Sequence, residues 1–112
     1  MQALTVVQLL PALHAGGVER STLEIARALV QAGHRAIVVS AGGRLEPMLA
    51  DSGAEHVRLD IGRKSLLTLR HVGALRRLFA DVGADVVHAR SRLPAWLGWQ
   101  ALKGLPAASR PA

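Results

Sequence analysis

Three groups of residues have the types and spacing for chemistry. Arg90-Ser91-Arg92 follows a β-type apolar run that ends in His88. Guanidinium groups are planar forks of N–H donors, and two forks at this spacing could clamp a phosphate or a sugar carboxylate. The plainer alternative is solvation, or pairing with Glu19. The second group is His14 with Gly16-Gly17, just after the first apolar run. A glycine pair that opens a helix lets an anion approach unpaired backbone N–H groups at the positive end of the helix dipole. A tight strand-to-helix turn would use the same glycines. His14 and His88 suit a general base or a ligand to sugar hydroxyls, with a structural hydrogen bond as the alternative.

The third group is Arg63, Lys64, Leu66, Leu69, Arg70, Arg76 and Arg77. At 100° per residue, Leu67, Ala74, Leu75, Leu78, Phe79 and Val82 form a core-facing arc, and Leu66 and Leu69 fall outside it among the arginines. Leucines set among cations fit an anionic lipid surface or a protein partner; a solvated basic face is the simpler reading. Trp96 and Trp99, three residues apart, are expected to pack against a sheet. His34, His56 and His71 read as ordinary surface residues. No histidine pair has HExxH spacing, and the glycines form neither GxGxxG nor a lysine-containing phosphate loop. No metal site is expected.

Composition narrows the classes. With 112 residues the chain has room for one domain, and half of it is hydrophobic, enough to bury a core. Two Trp, one Phe and no Tyr make a poor stacking platform for single-stranded nucleic acid. The absence of Cys excludes a disulfide scaffold, a thiolate zinc site and thiol catalysis. Fourteen Lys and Arg against eight Asp and Glu give a net charge of +6, which suggests an anionic partner. No apolar run reaches the roughly 18 residues of a transmembrane helix, and no cationic start precedes the first apolar stretch. The expected location is the cytoplasm.

Short β-type runs alternate with helical patterns. The runs are Leu4 to Leu10, Ala36 to Ser40, His56 to Leu59 and Ala84 to His88. Their near-continuous Val, Ile and Leu content suits parallel strands covered on both faces. Helices are expected over Gly17–Ala32, with Val18, Thr22, Ile25 and Leu29 on one face, and over Glu46–Asp51. Two more are expected from an N-cap at Ser65 through Val82, and from Pro94 to just before Gly104. Gly33, Gly53 and Gly83 would end the first three in left-handed turns. The order β-α-β-α-β-α-β-α predicts an α/β, Rossmann-like doubly wound parallel sheet with strand order 3-2-1-4, truncated before strand five. In such a sheet ligands bind where the strand order reverses, which brings the loop at residues 11–17 beside the loop at residues 88–92.

With these loops in place, the chain resembles the N-terminal domain of a family-4 glycosyltransferase of the GT-B type. The resemblance rests on Gly16-Gly17-Val18-Glu19-Arg20, Leu23 to Leu29 with Gly33-His34, Val38 to Gly43, and Asp85 to Arg92. It implies two Rossmann-like domains facing a cleft, of which residues 1–112 would be the acceptor-side one. It implies that Gly16 and Gly17 lie near the diphosphate and sugar of a nucleotide-sugar donor. It also implies that His14, His88, Arg90, Ser91 and Arg92 shape the acceptor pocket. Many relatives carry His at the position of Arg90. The family's His-Gly motif, its Glu-rich motif and its nucleotide pocket would lie beyond Ala112, so no catalytic residue is assigned and the chain alone is expected to be inactive. The implied reaction is retaining transfer to a cell-envelope or lipid-linked glycan, with no cofactor and no nucleic acid. The basic leucine-bearing face would rest on the anionic inner membrane leaflet.

Two other readings remain open at this point. One is a different GT-B-like enzyme such as a nucleotide-sugar epimerase; the other is a non-enzymatic anion-binding α/β module. A receiver domain needs acidic residues at the end of strand one, where this chain has Pro11-Ala12-Leu13-His14.

Overall fold

The computed structural model describes residues 3–13, 16–62, 69–107 and 110–111, and only the backbone of Leu69 and Arg92. Its elements run β1 (Thr5–Leu9), α1 (Gly17–Gln31), β2 (Arg35–Ser40), α2 (Glu46–Asp51), β3 (Glu55–Arg58), α3 (Leu69–Val82), β4 (Val86–Ala89) and α4 (Arg92–Lys103). The sheet order is β3-β2-β1-β4, and every pairing is parallel. The predicted doubly wound order is therefore the observed one.

Alternation along the strands divides the core in two. Val7 and Leu9 of β1, with Ile37 and Val39 of β2, face Leu75 and Phe79 of α3 and Leu97 and Ala101 of α4. Ala36 and Val38 of β2 turn the other way and join Ala26 of α1 and Leu49 of α2. Successive residues point to opposite faces of a strand, so a sheet covered on both sides needs apolar residues at nearly every position. Truncating a fully buried leucine such as Leu97 in such a core costs on the order of 2–5 kcal/mol. Gly33, Gly53 and Gly83 have φ of +89°, +87° and +62°, the left-handed stops expected of them.

Three packing expectations are corrected. On α1 the buried residues are Thr22 and Ala26, while Val18 is 47% exposed. Leu23, Leu29 and Val30 pack partly buried against the same core, so the predicted face holds at Thr22 and Leu29, while Val18 lies in the exposed first turn. On α3, Ala74 is exposed, and Val72 packs against the core beside Leu75, Leu78, Phe79 and Val82. On α4, Trp96 and Trp99 do not pack against the sheet; they are 47% and 57% exposed. Leu97 and Gly98 hold the sheet-facing positions, and Leu9 Cδ1 would stand 2.8 Å from a Cβ at Gly98. The ring of Trp99 instead carries the Lys103 ammonium 5.7 Å from its centroid.

The fourth helix starts two residues before Pro94. Ser91 is its N-cap in extended backbone, and Pro94 falls within the first turn, where an N–H has no helical acceptor to lose. The N-cap predicted at Ser65 lies outside the described residues.

Candidate functional site

The carboxyl ends of β1 and β4 meet as their order requires. The Arg90 amide donates to the Leu9 carbonyl at 2.9 Å, which places the exits of the two strands side by side. From this point the Arg90 side chain turns inward under α1. Its Nε donates to Gln8 Oε1 at 3.1 Å, and its Nη1 to Ser21 Oγ at 3.4 Å. Gln8 is a polar residue fully buried in β1, and its Nε2 donates to the Thr22 carbonyl at 3.3 Å. One guanidinium thus ties β4, β1 and the second turn of α1 together. Its Nη2 is buried and has no hydrogen-bond partner among the described residues.

The start of α1 lies next to this brace. Gly16 is its N-cap, in extended backbone, with no side-chain capping bond. The first helical bond runs from the Arg20 amide to the Gly16 carbonyl at 3.0 Å, so the preceding amides have no partner within the helix. Among the described residues a Cβ on Gly17 would meet nothing within 4 Å, whereas a Cβ on Gly16 would overlap the Glu19 carboxylate. Glu19 therefore folds back over the helix start, where its charge complements the dipole. It is not the partner of Arg90.

His88 is exposed on β4, and Ser91 caps α4. Arg90 is half-buried, with Nε and one hydrogen of Nη1 already engaged, so an Arg90–Arg92 clamp does not have a full fork to offer from its first residue. His14, Arg63, Lys64 and Leu66 lie outside the described residues, as do the side chains of Leu69 and Arg92. Arg70 and Arg77 are exposed on α3. Arg76 does not belong to that open face. It donates from Nε to the Ala101 carbonyl and from Nη2 to the Gln100 carbonyl, both at 3.0 Å, and so holds the last turn of α4.

A second polar cluster, between β2, β3 and α2, was not legible in the sequence. His56, expected at the surface, has a side chain only 15% exposed. Its Nε2 lies 2.8 Å from Ser40 Oγ, and its Nδ1 lies 3.1 Å from Glu46 Oε1. Glu46 Oε2 accepts from Arg58 Nη2 at 2.8 Å and from the Gly43 amide at 3.0 Å. The Gly43 amide is the main reason the Glu46 carboxyl ionises below its usual range, with Arg58 adding to it. Burial pushes the His56 ring below its usual value and Arg58 adds to that, while Glu46 and Ser40 act against it. The signal lay in strand alternation: His56 and Arg58 are two apart and share a face, but only the register puts Ser40 beside them and only the packing of α2 brings Glu46.

A cavity of about 440 Å³ lies at the opposite rim, lined by Phe79, Asp85, Leu105 and Arg110 among others. Its polar groups are committed. Asp85 Oδ2 accepts from the Thr5 amide at 2.7 Å, and Arg110 Nε donates to the Leu105 carbonyl at 3.1 Å. Among the described residues no helix is long and apolar enough to cross a membrane, and no three His, Asp or Glu side chains converge as metal ligands.

Residues 15–111 match the family model described as Glycosyltransferase Family 4. The chain belongs to glycosyltransferase family 4. Its fold is similar to the crystal structure of a glycosyltransferase from Rickettsia africae ESF-5, at 33% sequence identity and a TM-score of 0.82. That match covers 94% of this chain and 28% of the other, so the chain spans little more than a quarter of that enzyme's length. Among curated proteins none matches. The match gives the Gly16-Gly17 helix start and the Arg90 brace the setting of a family-4 glycosyltransferase domain.

Proposed function

We propose that this chain is the acceptor-side, N-terminal portion of a retaining glycosyltransferase that uses a nucleotide-diphosphate sugar, requires no cofactor, and is inactive alone. The acceptor we propose is a cell-envelope or lipid-linked glycan. The observation that carries the reading is the adjacency of two donor groups at one rim. The Gly17 helix start, over which Glu19 folds, and the Arg90 Nη2, unpaired among the described residues, sit beside the joined exits of β1 and β4. A leaving diphosphate develops negative charge, and preorganised N–H donors in a partly dry site stabilise it without proton bookkeeping. Gly16 and Gly17 would face the donor. His88, Arg90 and Ser91, together with His14 and Arg92, would border the acceptor.

The cationic side of α3, with Arg70 and Arg77 exposed, supports a proposed location on the inner membrane surface. Charge reversal at both positions should then abolish association with anionic vesicles, and unchanged binding would remove the membrane from the proposal.

The test of the site is an NMR titration of the chain with inorganic diphosphate. Shifts should concentrate on the amides of Gly16, Gly17 and Val18 and on the Arg90 side chain. Shifts confined to other surfaces would leave the proposed transfer site without a location. In the full-length polypeptide, acceptor-dependent release of a nucleoside diphosphate tests the reaction class, and the anomeric configuration of the product tests retention.

A further inference from the structure

We propose that His56 is a positioning residue for the loop that opens α1, acting through Ser40 and the Gly42 turn. Its bearing on catalysis rests on the reading of Gly16-Gly17 as a phosphate loop. The bonded path is continuous up to Leu13. His56 Nε2 meets Ser40 Oγ at 2.8 Å, and the same oxygen accepts from the Gly42 amide at 3.0 Å. The Gly42 carbonyl accepts from the Leu13 amide at 3.0 Å, and the Leu13 carbonyl accepts from the Leu45 amide at 2.9 Å. One step earlier, the Ala41 amide donates to the Pro11 carbonyl at 2.9 Å. Pro11 and Leu13 are therefore laced, backbone to backbone, onto the turn that His56 supports. Leu13 stands three residues before Gly16.

The Ser–His–Glu order is that of a nucleophilic relay, but this one has no access to a substrate. Ser40 is fully buried, and its oxygen is already engaged by the Gly42 amide. The output of the relay is conformational. With the ring neutral, Nδ1–H donates to Glu46 and Nε2 accepts the Ser40 hydroxyl, which leaves the serine oxygen to hold Gly42. A second proton on the ring reverses the bond at Nε2 and leaves a buried hydroxyl hydrogen without its acceptor. Gly42 feels this directly, because its amide donates to that same Ser40 oxygen. The charged groups facing the ring are Glu46 from α2 and Arg58 along β3. Glu55 points to the other face and pairs with Arg35 of β2.

Backbone and histidine NMR of the chain between about pH 5 and about pH 8 tests the path, since a histidine titrates in this window. The expected result is one shared midpoint, belonging to His56, in the amides of Gly42, Leu13 and Gly17. Glu46→Gln should lower that midpoint and Arg58→Met should raise it. Ser40→Ala should leave the ring titrating while removing its midpoint from Leu13 and Gly17. His56→Gln, which has no proton to gain, should remove the midpoint from all three amides in the folded chain. Amides of Leu13 and Gly17 that ignore His56, or still follow it after Ser40→Ala, would overturn the proposal. No phosphate enters this measurement. A failure to bind diphosphate therefore counts against the site and not against the positioning path.

Discussion

Between β2 and β3, Ser40, His56, Glu46 and Arg58 answer one another's hydrogen bonds and two loop amides besides. Between β1 and β4, Arg90 holds Gln8 and Ser21 but keeps Nη2 buried without a partner among the described residues. Both clusters lie under the same rim of the sheet, and both are built by strand neighbours. The first is closed, so its work is to fix the course of the backbone. The second is open, and a buried donor without an acceptor costs on the order of 1–3 kcal/mol. Among the described residues, completion of the bond network rather than residue type separates the two clusters.

The strongest way to break this contrast is at Gln8. Gln8→Leu strips Arg90 Nε of its acceptor and should cost about 2–3 kcal/mol in urea denaturation, as for a hydrogen bond to a charged group. Combining it with Arg90→Met should recover part of that loss, because the stranded cation is gone. A double variant no more stable than Gln8→Leu would show that the brace is not a buried charge dependent on Gln8.

Next in size is the turn on the closed side. Gly42→Ala forces a side chain into the left-handed region, where its Cβ would stand 2.7 Å from Glu46 Oε2. The expected cost is about 1–2 kcal/mol. Gly16→Ala should cost less, since Gly16 is extended and only the end of the Glu19 side chain must move. Equal costs in thermal melts would erase the distinction.

The closed cluster should also carry a pH signature. The His56 pKa is lowered by folding, so the folded state favours the neutral ring. Its contribution is fully present above the ordinary value of 6.5 and is lost as pH falls through that value towards the folded one. The Glu46 pKa is lowered as well, so its contribution is present above 4.5 and is lost as pH falls through the folded value. Both losses lie on the acid side. Denaturation midpoints followed across pH should show the upper step vanish in His56→Gln, and its persistence would assign the step to another group.

The smallest effect sharpens the open side. Glu19→Gln removes the carboxylate folded over the start of α1. It should lower stability by about 0.3–1 kcal/mol while tightening diphosphate binding about twofold to fivefold, because the dipole end is freed for the anion. Weaker binding would mean that Glu19 assists the ligand rather than competing with it.

Much of the fold was legible because it follows from local rules. Val and Ile runs of strand length, helical spacing between them and glycine stops set the element order; the observed α2 spans the predicted Glu46–Asp51. The adjacency of the Leu9 and Arg90 exits followed from strand order alone. The errors came where an element can turn about its axis. Trp96 and Trp99 looked like core, yet α4 presents Leu97, Gly98 and Ala101 to the sheet. Arg76 looked like an open cation, yet it holds the end of α4.

By itself the sequence determined the alternation of elements and the sheet order. These depend on periodicity and on the handedness of crossovers, which neighbouring residues encode. Only the tertiary structure decided which polar side chains are satisfied. A hydrogen bond needs a partner within about 3 Å at the right angle, and Arg90 meets Gln8 across 82 residues. No spacing along the chain carries that information.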